Sequence, residues 1–92
     1  NRLMPMTQYM VIERFKPGCT EAVYERLSRK GRMLPPGLQF VNSWVNKEIG
    51  ICYQLMETED SQLFSVWTHR WDDLIEFDIM PVDGTSQGHE NA

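Results

Sequence analysis

The sequence predicts an α+β domain of the ferredoxin-like type: a four-stranded antiparallel sheet with two helices on one face, in the chain order β-α-β-β-α-β. Two observations predict it. Apolar runs with strand-like alternation occur in four places and helical spacing in two, in that order. The clusters Lys16-Pro17-Gly18 and Pro35-Pro36-Gly37 break the chain where a strand gives way to a helix and where the next strand begins.

The first strand runs from Gln8 to Phe15, where Tyr9, Met10, Val11 and Ile12 form a compact run that is apolar on both faces. Thr20 is placed to cap a helix of roughly three turns, with Glu21 in its first turn, Val23 and Leu27 four apart, and Gly31 as its stop. A second strand covers Phe40 to Val45, where alternation separates Val41, Ser43 and Val45 from Phe40, Asn42 and Trp44. The polar connection Asn46 to Gly50 joins it to a third strand, Ile51 to Met56, as a hairpin. Asp60 can cap a second helix with Leu63, Phe64, Trp67 and Trp71 on one stripe. The last strand runs from Leu74 to Val82, with Pro81 tolerated because this strand lies at the sheet edge. The domain thus covers residues 7–82, with residues 1–6 and 83–92 as flexible ends.

Two helices cover only one face of such a sheet. The aliphatic rows Val41 and Val45, Ile51 and Leu55, and Ile75, Phe77 and Ile79 are the natural helix-facing set. Phe40, Trp44, Met56, Leu74 and Met80 then fall on the other face, an apolar surface too large for a monomer to leave in water, and a homodimer is expected. Among them lie Asn42, Gln54, Cys52, Glu76 and Asp78, joined by Tyr9 and Glu13 if the first strand has the matching phase. Because buried amides and carboxylates need partners or water, this mixture points to a partly hydrated cavity between sheets. Its candidate lining is Tyr9, Glu13, Asn42, Trp44, Gln54, Met56, Glu76 and Asp78.

Composition narrows the function classes. Nine basic against thirteen acidic residues give a net charge of −4, which disfavours a nucleic-acid partner. The basic run Arg26, Arg29, Lys30 and Arg32 reads as a solvated helix face and last turn. Neither a signal peptide nor a long apolar span is present, so no membrane association is expected. Two cysteines, Cys19 and Cys52, form neither a disulfide framework nor a ligand cluster, which suits a reducing, cytoplasmic setting.

Several segments agree in order with a known family: Tyr9 to Phe15, Lys30 to Pro35, Ser43-Trp44-Val45, Gln54 to Glu57, and Trp67 to Trp71 followed by Leu74 to Phe77. On these the chain resembles the small bacterial proteins grouped as domain of unknown function 3303. The resemblance covers almost the whole chain except both ends. It implies a ferredoxin-like fold in the dimeric α/β-barrel superfamily and brings no established activity. Branches of that superfamily include cofactor-independent and haem-degrading monooxygenases, lactone isomerases and sugar mutarotases.

Each of those chemistries needs its own residues. A haem site wants a pocket histidine, but His69 falls on the side of its helix away from the apolar stripe and His89 lies in the tail. The carboxylates lack the histidines and spacing of a metal site, so neither metal nor cofactor is expected. Glu13, Glu76 and Asp78 could crowd on neighbouring strands and poise one carboxyl as a general base, or instead pair with Arg14 or Arg70 or face solvent. Cys52 reads as a small buried hydrophobe, Cys19 as a thiol near a helix start. Two functions from different classes follow: a dimeric protein that binds or converts a small molecule in a cavity, or a non-catalytic dimeric interaction or stress-response protein.

Overall fold

The computed structural model describes residues 6–84. Its elements are β1 (Thr7–Phe15), α1 (Thr20–Lys30), β2 (Leu38–Asn46), β3 (Ile51–Thr58), α2 (Leu63–His69) and β4 (Ile75–Val82). The strands form one antiparallel sheet in the order β2-β3-β1-β4. This is the ferredoxin-like arrangement that the element order predicts. The flexible ends expected over residues 1–6 and 83–92 lie outside the described residues apart from Met6, Asp83 and Gly84.

Local chemistry sets the element limits. α1 opens at Thr20, the residue expected to cap it, so the N-cap position falls one residue earlier to Cys19, whose carbonyl accepts the Val23 N–H at 2.9 Å. Gly31 ends the helix at φ 67°, a left-handed conformation that a residue without Cβ adopts at no steric cost. Asp60 does not cap α2. Its carboxylate accepts the Gln62 N–H at 3.0 Å, closing a turn before the helix opens at Leu63. The helix ends before Trp71, so the aromatic stripe runs past α2 into the turn that leads to β4. The β2–β3 hairpin holds as expected, with the Asn46 carboxamide oxygen accepting the Glu48 N–H at 3.1 Å.

The core lies between the sheet and the helices. Val11 and Met56 are fully enclosed, and Val23, Leu38, Phe64, Trp67, Trp71 and Ile75 complete it. Each such burial contributes roughly 1.5–3 kcal/mol. Thr58 joins this core by using its hydroxyl twice, donating to the Gly37 carbonyl at 2.8 Å and accepting the Asp60 N–H at 3.0 Å.

The strand register fixes which residues share a face and corrects the expected phases. Directly paired residues point the same way. On the helix side stand Tyr9, Val11, Glu13 and Phe15 of β1, Cys52, Gln54, Met56 and Thr58 of β3, and Ile75, Phe77 and Ile79 of β4. Ile51 and Leu55, expected there, project from the outer face instead. In β2 a bulge between Phe40 and Asn42 resets the alternation, so Leu38 and Phe40 share the helix side with Ser43 and Val45. Phe40 and Met56 are therefore helix-side residues rather than part of the outer surface.

Candidate functional site

The eight candidate lining residues divide between the two sides of the sheet. Tyr9, Glu13, Gln54 and Met56 face the helices, whereas Asn42, Trp44, Glu76 and Asp78 face outward. Glu13 pairs with Phe77 in the register, and Glu76 and Asp78 point the opposite way. The three carboxylates thus form no common cluster. Asp78 pairs with Arg14 at the surface. The physical reason is the two-residue period of a strand: shifting its phase by one moves every side chain to the other face.

On the helix side, between the sheet and α1, lies a half-open cavity of about 150 Å³. Val23, Tyr24 and Leu27 of α1, Trp67 and Trp71, and Phe15, Val45 and Ile75 of the sheet give it apolar walls. Glu13, Arg32, Ser43, Cys52 and Gln54 supply its polar atoms. A second depression of about 430 Å³, lined also by Thr20, Lys47 and Gly50, shares Phe15, Tyr24 and Val45 with it, so the cavity continues toward the tip of the β2–β3 hairpin.

Glu13 is the most unusual residue in this space. Its side chain sits mid-strand on the helix side and is only 8 % exposed. Gln54, diagonal to it on β3, donates from Nε2 to Glu13 Oε2 at 3.2 Å. That amide nitrogen also lies 3.5 Å from the Met56 sulfur, and its oxygen accepts from Arg32 Nε at 3.3 Å. A chain of polar groups therefore runs Arg32, Gln54, Glu13 along the cavity. Among the described residues no fully enclosed side-chain nitrogen or oxygen lacks a partner, so the Glu13 oxygen that Gln54 does not bond remains open to the cavity.

The electrostatics follow from that geometry. Burial pushes the Glu13 carboxyl up to about 7, with the Arg32 guanidinium pulling it partly back. Burial, then the Glu13 charge, pushes the Cys52 thiol up to about 11, again against the pull of Arg32. A carboxyl that titrates near neutrality beside a confined space can take up or release a proton under physiological conditions.

Arg32 is the functional residue that the sequence reading missed. It follows the helix stop at Gly31 and so does not belong to the solvated face that holds Arg26 and Arg29. Those two pair with Asp73 and Glu25. Arg32 instead lays its guanidinium 3.6 Å above the Phe40 ring and reaches Gln54. Its backbone is held with equal care. The indole N–H groups of Trp67 and Trp71 both donate to the Arg32 carbonyl at 2.9 Å, and Arg70 donates to the next carbonyl, that of Met33, at 2.7 Å. These bonds hold a loop in which Met33 takes a positive φ of 60°, uncommon for a residue with a side chain. The position of Gly31 was the signal available in sequence, since a residue after a helix stop no longer follows the helical wheel.

Residues 7–90 match the family described as domain of unknown function (DUF3303). The chain belongs to this family. No curated protein and no solved structure matches it. The DUF3303 segment spans all six elements and both sides of the sheet, so the cavity and its Arg32-Gln54-Glu13 chain lie wholly within it.

The outer face of this DUF3303 domain has a different character. Across the sheet, Met80, Met10 and Leu55 form one row, with Ile12, Tyr53 and Trp44 beside it. Trp44 is 51 % exposed and Met80 41 %. Arg14, Asp78 and Glu76 border one end of this apolar centre and Gln8 and Glu57, hydrogen-bonded at 2.9 Å, the other. Both cysteines are free, no three His, Cys, Asp or Glu among the described residues stand together as metal ligands, and no described helix is long and apolar enough to cross a membrane.

Proposed function

We propose that this DUF3303 protein binds a small, largely apolar molecule in the cavity between its sheet and α1, with Glu13 as the polar anchor. The observation that carries the reading is a buried carboxylate with an open oxygen facing an apolar cavity. A structural role alone would be served as well by an apolar side chain at the centre of β1, because an ionisable group there costs free energy that packing does not return. The inner space of about 150 Å³ suits a benzene-sized ring, and the depression that continues it toward the hairpin leaves room for a substituent.

The apolar centre and charged border of the outer face support a second part of the same proposal: two copies pair through it as a homodimer, in the manner of a self-complementary twofold interface. Two unpaired cysteines fit the reducing cytoplasm of a bacterial cell, the setting in which we place the protein. Such a dimer leaves the cavity of each subunit on the far side of its sheet.

The three tryptophans make the cavity reading testable in one experiment. Trp67 and Trp71 line the cavity, whereas Trp44 stands on the outer face. In a fragment screen followed by NMR, a ring-sized ligand is expected to shift the indole N–H resonances of Trp67 and Trp71 and leave that of Trp44 in place. A ligand that moves only Trp44 would transfer the site to the outer face. A screen in which no small ring compound binds would sink the reading.

A further inference from the structure

Resting on the cavity reading, we propose that the ligand is a small weak acid with a ring or planar apolar body and an ionisable hydroxyl, a phenol or enol, held as its oxyanion between Glu13 and Arg32. The cavity offers two unlike charged groups joined by one amide: Gln54 accepts from Arg32 Nε and donates to Glu13 Oε2. A neutral hydrocarbon would use neither end of this chain. A permanent cation would find Arg32 opposing it, and an acid already ionised brings no proton for the Glu13 carboxylate to take. A hydroxyl that can lose its proton satisfies both ends.

The proton step balances without a co-reactant. The ligand O–H bond breaks, its electron pair stays on the ligand oxygen, and the proton forms an O–H bond on the open oxygen of Glu13. The resulting oxyanion is held by the guanidinium, whose position is fixed from both sides. Its face rests on Phe40, and its backbone carbonyl takes the two indole N–H bonds. Arg32 is thus the group that selects an acid over a neutral ring of the same size. Glu13 titrates near 7, which places the exchange in the range where phenols and enols of moderate acidity ionise.

The test compares 4-nitrophenol with nitrobenzene, two rings that differ by the hydroxyl, using the intact protein. At the Glu13 midpoint of about 7, where half of the carboxyl is free to take the ligand proton, nitrophenol should bind at least ~10-fold more tightly than nitrobenzene, and its phenolate absorbance band should grow on binding. Arg32→Gln should erase both differences, and Arg32→Lys should restore part of them. One unit above the midpoint, where carboxylate and phenolate are both charged before they meet, the wild-type affinity should fall, whereas that of Glu13→Gln, which offers no carboxylate, should hold or rise. Equal binding of the two rings to the wild type, with shifts at Trp67 and Trp71, would overturn the weak-acid assignment while leaving the cavity reading intact. Binding of neither would overturn both.

Discussion

Gln54 lies diagonal to Glu13 across the β1–β3 pair and donates to its carboxylate at 3.2 Å, the one hydrogen bond that this buried carboxylate receives among the described residues. A single neutral donor only partly replaces the water that the carboxylate loses. The charged form of Glu13 therefore works against the fold, and the neutral form does not.

A pH dependence with a definite sign follows. The folded-state pKa is raised from 4.5 to about 7, so the folded protein holds the proton more tightly than the unfolded chain. The stability tied to this group is complete below 4.5 and is lost as pH climbs through 7, a change on the order of 3 kcal/mol. Glu13→Gln keeps a polar side chain of the same shape without the charge. Its melting temperature should match the wild type near the lower pH and exceed it above the upper one, as read by thermal denaturation across the range.

The Arg32 carbonyl predicts a non-additive pair. With either Trp67→Phe or Trp71→Phe the oxygen keeps one donor, and the loss, roughly 1–3 kcal/mol, comes from the missing bond and the smaller ring. With both replaced the carbonyl has no indole partner, and the loop that holds Met33 at positive φ is released. Urea denaturation of the single and double variants should show a cost for the double that exceeds the sum of the singles.

Cys52 shares the cavity with Glu13, and its thiol is pushed up to about 11. Thiolate is the reactive form, so in a Cys19→Ser background alkylation of Cys52 by iodoacetamide near neutral pH should run roughly 100-fold slower than that of an ordinary free cysteine. Glu13→Gln should speed it by removing a neighbouring negative charge. Rates followed by mass spectrometry decide the point.

The outer face gives an oligomerisation prediction. Leu55 stands at its centre between Met10 and Asn42. Leu55→Lys should convert a dimer to a monomer in sedimentation velocity with the far-UV circular dichroism unchanged. Glu76→Gln, at the charged border, should leave the dimer in place.

Much of this fold is written in local chemistry. Gly31, the Pro35-Pro36-Gly37 break and the Asn46 to Gly50 connection act within a few residues, and the elements begin and end near them. Pro81 sits on edge strand β4, where a missing N–H costs no central ladder bond. The side on which each strand buries its residues was less legible. Ile51 to Met56 is apolar at almost every position, so alternation assigns no phase, and the partner strand decides it. In β2 the alternation was visible, but the bulge after Phe40 reverses it partway. Glu13 could be named as a pocket residue, yet its companions depended on those phases. Arg32 depended on tertiary contacts with Phe40 and Gln54 that no local pattern announces.

Whether Glu13 is the buried anchor of the cavity is decided by titrating its side-chain carboxyl in the folded protein, followed by carbon NMR and assigned with Glu13→Gln. For that role the midpoint is expected near 7 and should move when a ligand fills the cavity. A midpoint in the ordinary range of a solvated glutamate, near 4.5 and indifferent to any ring compound that shifts Trp67 and Trp71, would contradict it.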